Sequence, residues 1–333
     1  MKTLNLSEDT KAILLLCCPF VPKSTPKTLT LTEYNKLALV LHERGMRPAS
    51  LFEEKDPNSL AALAKLTDGE RLKGLLAMRG KLGFFLEEWQ QAGIWIVSRG
   101  DAYYPERIHE HLGHQRPPVL FGIGDSCLLQ KGGLGIVGSR NIDQEGEEFT
   151  QKVAEFCAYE KIPVVSGGAR GVDSTAMLGC AEHGGRAIGF LADSLLKKSL
   201  SAAFREHIAS GSITLLSPYH PKAGFNVGAA MGRNKLIYAQ SDHVLVVSSD
   251  FQKGGTWAGA TEELKRKNHR TVFVRTEATV PDGNKELLKL GCIPFPRVSD
   301  SGDLKQRLVK KTADIEHTKV HSRQIQGSLL SLV

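Results

Sequence analysis

An α/β fold, with a mostly parallel sheet covered by helices on both faces and a small all-helical domain ahead of it, is predicted by three features of the sequence. From Leu134 onward, short apolar runs alternate with helix-periodic stretches about five times, the signature of repeated strand–helix units. The apolar runs, Leu134-Gly135-Ile136-Val137 and Val244-Leu245-Val246-Val247 among them, are nearly continuous, as strands buried on both faces require. Glycine-rich segments follow several of these runs, at the carboxyl ends of the strands, where ligands bind in such folds.

In chain order, residues 1–93 read as a helical domain. Leu37, Leu39, Val40 and Leu41 fall in one helical stretch and Leu60, Leu63 and Leu66 in another, separated by Pro48 and Pro57. Leu72, Leu75, Leu76, Leu82, Phe85 and Leu86 are expected to form the core face of one final helix. Residues 94–133 read as a connector feeding a sheet, with the β run Ile94-Trp95-Ile96-Val97, then Tyr103-Tyr104-Pro105, then Pro117 to Gly122. They lead into the main domain, 94–296.

Within that domain the first helix begins near Glu145 and places Phe149, Val153, Phe156 and Cys157 on one face. Strands follow at Ile162–Val165, Ala187–Leu191, Ile213–Leu216, Val244–Val247 and Thr271–Val274. Helices are expected at Asp173–His183, Ala202–Ile208, Val227–Gln240 and Trp257–Arg266. Residues 297–333 read as a polar tail with one short helix around Leu304–Lys311.

The formal net charge of +7 over 333 residues leans toward a polyanionic partner. Six cysteines, Cys17, Cys18, Cys127, Cys157, Cys180 and Cys292, form no C-x-x-C pair and sit mostly in apolar runs, so they read as reduced core thiols. The N-terminus lacks a signal peptide's charge order, and no run of 18 apolar residues could span a bilayer. A cytoplasmic protein with no membrane partner is expected.

Four segments carry the chemistry. Gly138-Ser139-Arg140 follows a strand: glycine lets the backbone approach a phosphate, Ser139 offers a hydroxyl, and Arg140 can grip phosphate oxygens with two N–H groups. An ordinary strand–helix turn with an exposed arginine is the plain alternative. Ser166-Gly167-Gly168-Ala169-Arg170-Gly171-Val172-Asp173 again joins strand to helix, and its glycines expose backbone N–H groups where the helix dipole favours an anion. Asp173 reads as an N-cap there, with catalysis as the second role.

Arg233-Asn234-Lys235, on a helix, could add positive charge and hydrogen-bonding groups or simply cover a solvated face. Lys253-Gly254-Gly255-Thr256 repeats the phosphate-cradle pattern between strand and helix. Next to it, Trp257 could stack on a base or pack on the sheet.

No catalytic set is evident, and an enzyme is not the favoured reading. The second loop departs from G-x-G-x-x-G and lacks the acidic partner of a dinucleotide site, so no cofactor is expected. His109-Glu110-His111-Leu112-Gly113-His114 has a metal-like composition, but its spacing puts few ligands on one helix face, and no metal is expected. No Gly-x-Ser-x-Gly elbow, Walker lysine or H-E-x-x-H is present.

Taken in order, these motifs resemble the DNA-processing protein A family, also called Smf, which is Rossmann-like. Gly138-Ser139-Arg140 is similar to the family's strand-G-S-R element, Ser166 to Asp173 to its S-G-x-A-x-G-I-D element, Arg233 to Ile237 to R-N-R-I-I, and Lys253 to Thr256 to K-S-G-(S/T). Asp101 to Pro105 and Pro118 to Phe121 resemble the family's lead-in. The resemblance runs from about Gly93 to Val274. It departs at Met177, where the family usually has histidine, at Ser248-Ser249, where it usually has an acidic residue, and beyond the sheet, where its common winged helix is not expected.

The resemblance implies single-stranded DNA as partner, held by the sixteen residues Gly138, Ser139, Arg140, Ser166, Gly167, Gly168, Arg170, Gly171, Asp173, Arg233, Asn234, Lys235, Lys253, Gly254, Gly255 and Thr256. It also implies a homodimer and the loading of a RecA-type recombinase during transformation, with a branch serving recombination, mobile elements or defence as the variant. The rival reading is a nucleotide-derivative enzyme or sensor of the lysine-decarboxylase-like group, in which Gly254-Gly255-Thr256 and a glutamate, Glu262 or Glu263, would act on an N-glycosidic bond with help from Arg233. A third, a partner-binding scaffold, leaves the glycine loops without a role.

Overall fold

The structure is a computed structural model that describes residues 6–20, 26–54, 57–65, 69–277, 279–297 and 303–313. The chain divides into two compact units, one of residues 1–132 and 188–240, the other of residues 133–187 and 241–333.

The first unit opens with helices α1 (Glu8–Cys17), α2 (Leu31–Glu43), α3 (Pro57–Leu63), α4 (Gly69–Ala77) and α5 (Arg79–Gln91). Ser7 caps α1 by accepting the Thr10 N–H, and Ala12 to Leu16 are all buried. Thr30 and Glu33 cap α2 reciprocally. The single final helix expected over Leu72 to Leu86 is two helices, because the chain turns at Met78, which precedes α5 with ψ near −1°. Leu72, Leu75, Leu76 and Leu82 are buried, Phe85 and Leu86 are half-buried, and Trp89 is the ring that enters the core. Its centroid lies 5.8 Å from that of Phe20 and 5.1 Å from that of Phe121.

The connector supplies true strands, β1 (Trp95–Ser98) and β2 (Val119–Ile123), with α6 (Glu106–Leu112) between them. They pair antiparallel, Trp95 opposite Gly122, and the pairing needs glycine there because a Cβ at 122 would lie 2.2 Å from the Trp95 ring.

The second unit contributes β3 (Leu134–Gly138), α7 (Gln144–Tyr159), β4 (Val164–Ser166) and α8 (Val172–Glu182). The chain continues with β5 (Ala187–Phe190), α9 (Leu195–Ser199), α10 (Ala202–Ala209), β6 (Ile213–Ser217) and α11 (Val227–Gln240). In the first unit, β6 pairs antiparallel with β2, and the Leu191 N–H beside β5 donates to the Leu216 carbonyl of β6. The second unit closes with β7 (His243–Ser248), α12 (Gly254–Leu264), β8 (Thr271–Val274), α13 (Asp282–Lys289) and β9 (Ile293–Pro294). There β4-β3-β7-β8-β9 run parallel, so most of the sheet is parallel as the apolar runs predict.

α12 starts at Gly254, three residues before the expected Trp257, because Gly254 takes φ +75° and lets the helix begin within the glycine pair. The tail helix spans 304–313; Leu304 and Leu308 are buried, and the Glu160 carboxylate accepts the N–H groups of Asp303 and Leu304. The rest of the predicted tail, 298–302 and 314–333, lies outside the described residues. Cys18, Cys157, Cys180 and Cys292 are buried and Cys17 is half-buried, whereas Cys127 is exposed. Among the described residues no helix is long and apolar enough to cross a membrane.

Candidate nucleic-acid interface

In the second unit, parallel pairing puts the carboxyl ends of β4, β3 and β7 side by side, and three predicted loops leave from them. After β3, Ser139 and Arg140 lead to Asp143, which caps α7 by accepting the Gly146 N–H at 2.8 Å. The Ser139 hydroxyl accepts the Asn141 N–H at 3.1 Å and donates to the Asn141 carbonyl at 2.9 Å, so it fixes the turn locally. Arg140 is exposed.

After β4, Ser166 is fully buried and donates its hydroxyl to the Ile136 carbonyl of β3 at 2.6 Å, a strand-to-strand tie. Gly167 and Gly168 are buried, and Gly168 and Gly171 take φ +63° and +82°. Gly171, and not Asp173, is the N-cap of α8. Asp173 lies inside the first turn, largely buried, and its Oδ2 accepts the Ala169 N–H at 3.4 Å.

These two loops are locked together. The Val172 N–H donates to the Ser139 carbonyl at 3.3 Å, and Arg170 Nη2 donates to Asn141 Oδ1 at 2.6 Å. A Cβ on Gly171 would lie 2.5 Å from the Ser139 carbonyl oxygen, and one on Gly138 would lie 2.4 Å from Val172 Cγ2. The glycines therefore serve loop-to-loop packing. The N–H groups of Ala169, Val172 and Ser174 are committed inside the protein, the last to the Ala169 carbonyl at 3.0 Å. Three N–H groups of this segment are thus taken inside the protein, none of them a glycine's, and Arg140 and Arg170 are exposed beside it.

After β7, the loop 249–253 is anchored by a residue the sequence did not single out. Asn284, fully buried on α13, accepts the Ser249 N–H at 2.8 Å and donates to the carbonyls of Val247 and Arg275. Lys253 and Gly254 are exposed, while Gly255 and Thr256 form the first turn of α12. Trp257 packs edge-on against Phe251, itself 44% exposed, with ring centroids 5.1 Å apart. Asn141, Asn284 and Phe251 act through contacts with residues distant in sequence or through exposure; only the apolar Phe251 within a polar loop was a visible signal.

Arg233, Asn234 and Lys235 belong to the first unit, on α11. Arg233 is buried and Asn234 and Lys235 are half-buried, so the segment is not a solvated face. Burial pushes the Tyr219 phenol up, and the charge of Arg233 opposes that shift.

Both glutamates of the rival enzyme reading have protein partners. Glu263 is buried, accepts the Arg270 N–H at 2.6 Å and sits 3.4 Å from Arg266 Nε; Glu262 is paired with Arg266 as well. Both lie near the far end of α12, roughly 12 Å along the axis from Gly254 at ~1.5 Å per residue. His111 is buried on α6, and the described residues contain no group of three metal-ligating side chains.

With this geometry, the chain belongs to the DNA recombination-mediator protein A family, whose model matches residues 95–300. It is 30% identical over 196 residues to protein Smf of Synechocystis sp., an alignment covering 57% of this chain and 48% of that protein. The chain thus spans about half the length of that relative.

Two solved structures share the fold. DNA processing protein A from Streptococcus pneumoniae aligns with a TM-score of 0.63 and 20% identity, over 80% of this chain and 95% of that one. DNA processing protein A from Helicobacter pylori, whose structure is described as giving insight into a unique single-stranded DNA binding mode, aligns with a TM-score of 0.54 and 23% identity, over 66% and 96%.

Proposed function

We propose that this chain is a single-stranded-DNA-binding protein acting in DNA processing and recombination, with the strand's phosphates gripped by Arg140 and Arg170. The observation that carries the reading is the pair of exposed arginines on two loops locked by Gly171 and the Arg170–Asn141 hydrogen bond. Lys253 adds a third exposed cation beyond β7. Phosphate contacts through these charged side chains make the affinity fall with salt. The single-stranded DNA binding of the Helicobacter pylori relative supports the choice of ligand.

On this reading the protein works in the cytoplasm, pairs as a homodimer and hands its strand to a RecA-type recombinase. The test is binding of a labelled oligonucleotide to wild type and to Arg140→Ala across a salt series. Weaker binding, with a log–log salt slope shallower by about one unit, is expected for the variant. Tight mononucleotide binding without strand affinity would overturn the reading.

A further inference from the structure

We propose that Phe251 is a stacking platform for an unpaired base of the bound strand, with Trp257 as its brace. The inference rests on the strand-binding reading above and adds a base-contacting subsite to the phosphate contacts.

The loop that carries Phe251 is held firmly at its root. Asn284 takes the Ser249 N–H, and a Cβ on Gly283 would lie 2.1 Å from the Ser249 carbonyl oxygen, so the start of α13 presses directly on the loop backbone. Beyond that anchor Gln252 takes φ +54°, a left-handed conformation costly for a residue with a side chain, and α12 begins at Gly254. Phe251 sits between the anchor and this turn with 44% of its surface exposed.

Its ring meets Trp257 at 84°. In such a T-shaped contact Trp257 covers at most one of the two faces of the Phe251 ring, and 44% of the residue stays exposed to meet a ligand. Isolated exposed apolar side chains are common and need no function. This one differs in being braced by a second ring on an anchored loop, with the exposed cation Lys253 two residues on, beside the strand end that carries Arg140. A braced ring with a cation two residues on suits one nucleotide, its base on the ring and its phosphate on the ammonium. Edge-to-face bracing also limits the ordering the ring must undergo when a base arrives.

The experiment is a binding titration of a fluorescein-labelled oligothymidylate, and of the same oligomer with abasic positions, to wild type, Phe251→Tyr, Phe251→Leu and Phe251→Ala. Thermal melting of each variant establishes that it is folded. Phe251→Tyr should bind as wild type does, and Phe251→Leu, which keeps apolar bulk without a π face, should lose affinity with Phe251→Ala, by about tenfold. The loss should shrink on the abasic oligomer, and the salt slope should stay at the wild-type value because no charge is removed.

Equal affinity of folded Phe251→Ala and wild type, or an equal loss on normal and abasic strands, would overturn the stacking proposal while leaving phosphate binding intact. Absence of salt-dependent strand binding by wild type would overturn the underlying reading and this inference with it.

Discussion

Arg170 reaches the loop that follows β3 and donates from Nη2 to Asn141 Oδ1 at 2.6 Å, so the cation of one glycine loop is aimed by a side chain of the other. Asn141→Ala should therefore weaken strand binding without changing its salt slope, because charge is kept and only orientation is lost. The expected loss is about 0.5–1.5 kcal/mol, severalfold in affinity. Arg170→Ala, by contrast, should flatten the slope by about one unit. Anisotropy titrations at several salt concentrations separate the two outcomes.

Gly171→Ala should destabilise the second unit and reduce binding together. A side chain there meets both an unfavourable φ of +82° and the carbonyl oxygens of Ser139 and Arg140 at 2.5 and 2.8 Å. Gly184 is the control: its φ is +78°, but a Cβ would meet nothing within 4 Å. Urea midpoints should show a loss of about 1 kcal/mol for Gly184→Ala and clearly more, about 2–3 kcal/mol, for Gly171→Ala.

Glu33 predicts an acid limb of stability. Hydrogen bonds from Arg71 hold its carboxyl at about 2, well below its ordinary 4.5, and Arg71 also donates to the carbonyls of Lys27 and Thr28. A carboxylate depressed in the folded state contributes stability that is complete above about pH 4.5 and is lost as pH falls toward 2. Glu33→Gln should lower stability at neutral pH by roughly 2 kcal/mol, with the gap from wild type closing across that window. Urea unfolding at stepped pH provides the measurement.

Native alkylation should mark one thiol first. Burial pushes Cys18, Cys180 and Cys292 up to about 12 and raises Cys17 and Cys157 as well, whereas Cys127 is exposed on the segment after β2. Iodoacetamide at mildly alkaline pH should add a single group to the folded protein, and Cys127→Ser should abolish it. Peptide mass mapping that found Cys157 modified at the same rate would contradict this.

The strands were readable because burial on both faces writes itself as local composition: Leu134–Val137 and Val244–Val247 appear as β3 and β7 with little adjustment. The glycine loops were readable as places, less so as mechanisms. Gly171 suggested an anion cradle, yet its neighbours in space are the Ser139 and Arg140 carbonyls, thirty residues away in sequence. Ser166 followed a strand as a phosphate ligand would, but Ile136 on the adjacent strand takes its hydroxyl. Asp173 looked like a cap, and Gly171 assumes that place because its backbone alone accepts the required angles. The first two differences arise from a partner brought close by pairing of β3 with β4, which periodicity cannot register.

The packing of Gly138 on Val172 couples these two positions. An added methyl at 138 meets a valine side chain that is itself fully enclosed, so the change is tolerable only after residue 172 has shrunk. Substitutions there should thus be strongly epistatic: Gly138→Ala harmful alone and partly rescued by Val172→Gly. Through this contact each loop limits which side chains the other can accept.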